Sequence, residues 1–456
     1  MKKEGGVGMK KKVIAVLMSG MMLVSLLAGC GTSNEQAAEG QSGSKTADAQ
    51  TEKDSGSGDG GQEEVTLTLW WPGSGDAYEE LVNGLADLVE AEYDWIKIDP
   101  LVIPWSDYDA KMNVAFSGGT APDLFGVGLN TLPNYVQTGN LADMREELGD
   151  DWDGWDDIPE NIQEYTTYDD VWYGVLMCDL RPFMWRKDLF EKAGLDPDTP
   201  PTTKEELMEY AEKLTEYNDD GKVEVAGFQI QTSGFSDQTL FSAMLMCGIA
   251  DFWDDNYDLT LLEPEVIEAA EYCKAFVDNG LCDYSEGIAT TSFTEGLAAM
   301  TLNTACNELG NLKETIGFDN IGVSEPFMDG VNFVGGTIVC ANKNSKNMEA
   351  AMLAYEVIAG TKGCELAGTA AGFCPPRESA LEAYVAQAPE IYGPIAEILP
   401  KAKTYGPLNP YFADFRQGAI MDSMEQVYYG KVEVKEGLEN AVEAYNRLRE
   451  ERDANN

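Results

Sequence analysis

VTLTLWWPGSGDAYEELVNGLADLVEAEYDWIKIDPLVIPWSDYDAKMNVAFSGGTAPDLFGV, Val65 to Val127, changes its hydrophobic period four times. Val65-Thr66-Leu67-Thr68-Leu69 alternates as a half-buried strand does, and Tyr78, Leu81, Val82, Leu85 and Val89 then fall on one helical stripe. Ile96 to Ile103 reads as a second strand, Asp107 to Phe116 as a helix with Tyr108, Met112, Ala115 and Phe116 inward, and Asp123 to Val127 as a third strand. Strand, helix, strand, helix, strand is a parallel α/β unit. Ligands of such sheets gather at the carboxyl ends of the strands, here Trp70-Trp71-Pro72-Gly73-Ser74 and Gly126-Val127-Gly128-Leu129-Asn130.

Downstream the pattern repeats. Helices are predicted over Lys187 to Ala193, Thr202 to Thr215 and Thr239 to Met246, with a strand over Val225 to Gln231. Thr202 with Glu205, or Thr203 with Glu206, has capping-box spacing. About 390 residues beyond Val65 exceed what one core holds, so two lobes are expected. No repeat of 20 to 50 residues is visible, which argues against a solenoid.

Upstream, Gly31 to Glu64 contains no Val, Ile, Leu, Met, Phe, Tyr or Trp, and such a segment buries too little apolar surface to fold. As a flexible tether it would reach about 30 to 35 Å. Before it, Lys10, Lys11 and Lys12 precede an uncharged apolar run from Val13 to Ala28, short for a helix that must cross about 30 Å of hydrocarbon. Leu27-Ala28-Gly29-Cys30 resembles the lipobox of bacterial lipoproteins. That resemblance implies cleavage before Cys30, lipid on its sulfur and a chain held on the outer face of the cell membrane, in a bacterium expected to be Gram-positive. Either Met1 or Met9 can be the start.

The chain has 31 Lys plus Arg against 80 Asp plus Glu, a net charge of −49; losing five lysines and one glutamate with the signal takes it to −53. This field repels nucleic acid and anionic lipid. There is no histidine in 456 residues, which removes Ser-His-Asp and Cys-His nucleophiles and His-ligated zinc. Carboxylate-pair glycosidase chemistry survives that exclusion. Eight cysteines follow Cys30, none in a CxxC and several in apolar runs, so buried free thiols are expected.

Further blocks carry a family resemblance. AFSGGTAPDLF (Ala115 to Phe125), Tyr173-Gly174-Val175, WRKDLFEKAGL (Trp185 to Leu195), PTTKEEL (Pro201 to Leu207), FTEGLAAM (Phe293 to Met300), Gly335-Gly336-Thr337, NKNSKNMEAA (Asn342 to Ala351) and Pro375-Pro376-Arg377 occur in this order. Together they resemble the extracellular solute-binding proteins of the maltose-binding type, substrate receptors of ATP-binding-cassette importers. The residues themselves have plainer readings: Leu189, Phe190 and Ala193 suit a helix core, and Asp123 after Pro122 suits a turn.

The resemblance implies a two-lobed, class II periplasmic-binding-protein-like α/β fold, each lobe a mainly parallel sheet flanked by helices. It places one lobe at 65–174 with 325–375 and the other at 175–324 with 376–456. Hinge crossings would fall at Gly174 and Val175, at Gly322 and Val323, and at Pro375-Pro376. Ligand contacts would come from Trp71, Ser74, Asp76, Asn130 and Gly336 in the first lobe, and from Phe235, Asn303, Asn307, Tyr411 and Arg416 in the second. The family often has tryptophan where Cys306 and the segment Phe412 to Arg416 stand here, so stacking would fall to Trp71, Trp253 or Tyr411. Each of these aromatics also suits a core position. Asp179 and Arg181 are candidates for an interlobe or local ion pair.

The implied function is capture of a carbohydrate, an oligosaccharide by expectation, and its delivery to membrane permease subunits by a monomeric receptor without catalytic residues, cofactor or metal. Two alternatives stay open: a binding protein for a polyamine or peptide, and an extracellular carboxylate-dependent glycosidase. A sensor presenting its ligand to a membrane kinase is a third.

Overall fold

The computed structural model describes residues 63–230, 236–282, 293–324 and 332–455. Cys30, its tether and the lipobox therefore lie outside the described residues, as does Phe235.

Five strands form the sheet of the first lobe, in the order Ile96–Ile103, Val65–Pro72, Leu124–Gly128, Val334–Ala341, Val175–Leu180. Val334–Ala341 runs against both neighbours, while the other four share one direction. Leu67, Leu69 and Trp71 alternate onto one buried face of the first strand. The helix Asp76–Glu92 covers the sheet with Leu81, Val82, Leu85 and Val89, the stripe read from sequence.

In the second lobe Phe183–Arg186 lies between Met300–Thr301 and Ile321–Ser324 and is antiparallel to both. Ala226 extends this sheet by a parallel bridge to Ala298. Each sheet thus has one reversed strand among strands of common direction, the two-lobed α/β architecture expected. The helix Lys204–Leu214 starts at Thr203, whose hydroxyl accepts from the Glu206 amide, so the second of the two capping pairs operates. The helix Ser236–Met246 is buried on nearly every side.

The points where the chain passes between sheets differ from those expected. Val175–Leu180 belongs to the first sheet and Phe183 opens the second, so the first passage is Arg181-Pro182 rather than Gly174 and Val175. Gly174 instead sits where an added Cβ would lie 1.9 Å from the Val339 carbonyl, at a φ of +148°. Its role is close strand packing. Gly322 and Val323 are likewise inside a paired strand, opposite Trp185 and Met184. Cys374 pairs with Cys178 on the edge of the first sheet, and Arg377 is buried against Asp153 and Asp157, so Pro375-Pro376 also remains with the first lobe.

All eight cysteines after Cys30 are free thiols, and all but Cys247 are buried. No helix among the described residues is long and apolar enough to cross a membrane.

Candidate functional site

The strand tips of the first lobe meet residues from beyond the second sheet. Two expected residues meet there across sequence: the Asn307 amide donates to the Tyr78 hydroxyl at 3.2 Å, and Asn130 Oδ1 accepts from Thr404 at 3.2 Å. Tyr78 follows the first strand, whereas Asn307 follows the Met300–Thr301 strand. Asn303 is buried, accepting from the Ser242 hydroxyl at 2.7 Å. Ser74 and Asp76 are exposed at the tip after the first strand.

Other expected contacts lie elsewhere. Trp71 is fully buried on the core face of its strand, because strand alternation sets it beside Leu67 and Leu69. Trp253 is 1 % exposed, donates to the Pro407 carbonyl and packs edge-on to Phe412 and Phe415. Tyr411 donates to Asp453 and meets Tyr257 edge-to-face. At Gly336, φ is +138° and an added Cβ would lie 2.1 Å from the Met177 carbonyl. The glycine therefore admits a neighbouring strand.

Between the lobes a polar chain runs through residues that sequence reasoning largely passed over. Arg181 donates to Asp179 at 3.2 Å, the local ion pair foreseen, and its guanidinium lies 4.5 Å from the centre of the Phe333 ring. Burial raises the Asp179 carboxyl above its usual range, and Arg181 only partly offsets this. Burial, with Asp179 next, raises the Tyr78 phenol. Phe333 packs against Tyr405 at 4.9 Å between ring centres. Tyr405 donates to Asp237 Oδ2 at 2.9 Å, and Arg416 Nε donates to the same oxygen at 2.9 Å. Burial pulls the Arg416 guanidinium down, but Asp237 and Tyr405 outweigh it and leave it above its ordinary value.

This chain leaves hydrogen-bonding capacity unused. Among the described residues, Asp179 Oδ1, Asp237 Oδ1 and Asn307 Oδ1 are buried acceptors without a partner, and Arg181 Nε, Arg181 Nη1 and Asn332 Nδ2 are buried donors without one. Buried polar atoms are paired in the great majority of cases, so six orphans in one place mark a site for something else to bind. The formal charges of Arg181 and Arg416 cancel those of Asp179 and Asp237. Asp237 had one legible signal, an acidic residue at the head of an apolar helix; Tyr78 and Phe333 had none, since their sequence neighbours suit ordinary packing.

Residues 84–392 match the model of the bacterial extracellular solute-binding proteins. The chain belongs to that family. Among relatives of this solute-binding protein, one from Brucella abortus (strain 2308), named as a binding protein, is 25 % identical over 401 residues, covering 85 % of this chain and 93 % of its own. The sn-glycerol-3-phosphate-binding periplasmic protein of Escherichia coli (strain 536) is 24 % identical over 418 residues, covering 84 % and 92 %. The solved structure of an ABC transporter solute-binding protein from Thermotoga lettingae, bound with α-D-tagatose, superposes with a TM-score of 0.72 at 22 % identity, covering 84 % of this chain and 99 % of that one. The family consists of binding proteins that work outside the cytoplasm.

Proposed function

We propose that this solute-binding protein captures a neutral carbohydrate between its lobes and hands it to the permease of an ATP-binding-cassette importer. The observation that carries the reading is the balance of hydrogen-bonding capacity between the lobes: three orphaned acceptor atoms and three orphaned donor atoms. A hydroxyl both donates and accepts, so a polyhydroxylated ligand satisfies such a set. A phosphate ester would need a surplus of donors, and a polyamine a surplus of acceptors. The tagatose carried by the Thermotoga lettingae protein agrees in class. The Lys-rich start and the lipobox-like Leu27 to Cys30 support a lipid tether on the outer face of the membrane, and the passage of the chain between sheets at Arg181-Pro182 supports closure about that point. No catalytic role is assigned to Asp179 or Asp237, each of which is already bonded to an arginine.

The test is thermal unfolding of the purified full-length protein with mono- and oligosaccharides, sn-glycerol 3-phosphate, spermidine and a tripeptide. A saccharide at 100 times its dissociation constant adds about 2.7 kcal/mol of stability. A shift with sugars alone, without hydrolysis of the sugar, is expected. A shift only with the phosphate ester, amine or peptide would refute the carbohydrate assignment, and release of reducing ends would refute the receptor role.

A further inference from the structure

A hollow of about 1090 Å³ opens in the first lobe beside the helix Met144–Leu148, the helix Glu160–Tyr165 and the hairpin that joins Thr167–Tyr168 to Val171–Trp172. Trp172 comes three residues before the strand Val175–Leu180, so the hollow belongs to the amino end of that strand, whereas Asp179 is near its carboxyl end. Val175 to Asp179 alone spans about 13 Å at ordinary strand rise. The carbohydrate reading makes no use of this hollow, and every residue lining it lies between Asp143 and Trp172.

Part of the lining is aromatic. Trp155 and Trp172 meet edge-to-face with ring centres 4.8 Å apart, and Trp152 packs on both, at 4.9 and 5.7 Å. The Trp155 indole donates to the Gly149 carbonyl at 2.8 Å. Trp172 lacks such a partner: the residue is 5 % exposed, and its Nε1 is a buried donor without an acceptor. Buried N–H groups are paired in the great majority of cases, so this one marks the place of an absent acceptor.

The rest of the lining is strongly acidic, with seven carboxylates against a single cation, Arg145. Asp143 caps the helix Met144–Leu148 through the Arg145 and Glu146 amides, and Asp150 meets Arg145 at 3.8 Å. The other five, Glu146, Glu160, Glu164, Asp169 and Asp170, are exposed and make no ion pair or side-chain hydrogen bond among the described residues. Asp169 and Asp170 form the two-residue hairpin turn at φ of +51° and +63°. Asparagine-glycine meets such a turn with less strain but would bring no charge to the hollow. Arg145 shows how a cation is received here, its guanidinium lying 4.1 Å from the centre of the Trp155 ring.

Unpaired carboxylates call for cations, and an orphaned indole calls for an acceptor. A polyamine has donors only, and a polyanion is repelled. A peptide with basic side chains supplies both, guanidinium groups for the carboxylates and a backbone carbonyl for Trp172 Nε1. We infer that this hollow is a docking site for an arginine-bearing peptide segment of another protein, separate from the ligand site between the lobes. Its volume, at the upper end of small-molecule sites, admits several residues of such a segment.

Titration calorimetry of the full-length protein in about 0.15 M salt tests it with two probes of equal charge, spermidine and a capped pentapeptide of alternating arginine and glycine. The double variant Asp169→Asn, Asp170→Asn removes two charges from the hollow, and asparagine tolerates the left-handed turn, so the fold is kept. Asp219→Asn with Asp220→Asn removes the same charge from an exposed turn of the second lobe, between Glu216–Tyr217 and Val223–Val225. The peptide is expected to bind about tenfold more tightly than spermidine, because only the peptide satisfies Trp172 Nε1. The first double variant is expected to weaken the peptide by about five- to tenfold, and the second to leave it unchanged. Absence of peptide binding, spermidine as tight as the peptide, or equal weakening by the two double variants overturns the inference.

Discussion

Replacing Arg181 by Met separates the two jobs of the cleft, holding itself together and holding a ligand. The Arg181 side chain is 9 % exposed and that of its partner Asp179 is 16 % exposed, and the second Asp179 oxygen has no partner at all. Removing the guanidinium leaves an acid in low dielectric with no compensating charge, a change that costs about 3–5 kcal/mol. With roughly 390 folded residues and about 2.1 cal/mol/K of unfolding entropy per residue, that corresponds to a fall in Tm of about 4–6 °C at pH 7.

The pH dependence follows from the same group. Burial already raises the Asp179 carboxyl above its unfolded value. The folded state therefore holds this proton more tightly than the unfolded state, and stability rises as pH falls through the folded pKa toward the unfolded one. Without Arg181 the carboxyl rises further, so the Arg181→Met protein recovers part of its loss on acidification from pH 7 toward 5, measured against the parent at each pH. The double variant Asp179→Asn, Arg181→Met removes both charges and restores most of the lost stability, but neither variant binds the sugar that stabilises the parent. Scanning calorimetry of the three proteins decides the matter. A single variant as stable as the parent, or a double variant no more stable than the single one, would refute the argument that the two charges compensate each other in a dry cleft.

Three other outcomes follow from particular contacts. Tyr78→Phe removes the acceptor for the Asn307 amide and should weaken ligand binding by roughly fivefold with little change in unliganded stability, read by titration calorimetry. Arg377→Ala strips the Ala359 carbonyl of its donor and two aspartates of their cation, and should destabilise the protein by about 3 kcal/mol in urea unfolding; a change below 1 kcal/mol would show that exposed Asp153 carries little of the energy. A thiol reagent added to the native chain should modify Cys247 fastest among the eight thiols after Cys30, with the others released only by denaturant, because those seven are buried and burial pushes Cys273 and Cys306 up to about 12 and raises Cys178, Cys340, Cys364 and Cys374 as well.

Period and spacing alone determined the strand and helix order of the first lobe: Leu67 and Leu69 alternate, Leu81, Val82, Leu85 and Val89 form a stripe, and both patterns appear in the folded chain because burial of one face drives each. Composition also determined the state of the cysteines, which lie in apolar runs and pack as small hydrophobes. The same alternation contained the correction for Trp71, two residues beyond Leu69 and hence on the core face rather than in the cleft. Gly174, Gly322 and Gly336 read as hinge or ligand glycines because a sequence shows only that a side chain is missing; the structure shows what occupies the space, the Val339 carbonyl, the Trp185 ring and the Met177 carbonyl. The site itself belonged to tertiary structure. Asp179 and Asp237 sit on different lobes, and Tyr78 meets Asn307 across 229 positions of chain. Hydrogen bonds and charge balance over such separations depend on how two sheets are set against each other, and no local period in the sequence encodes that.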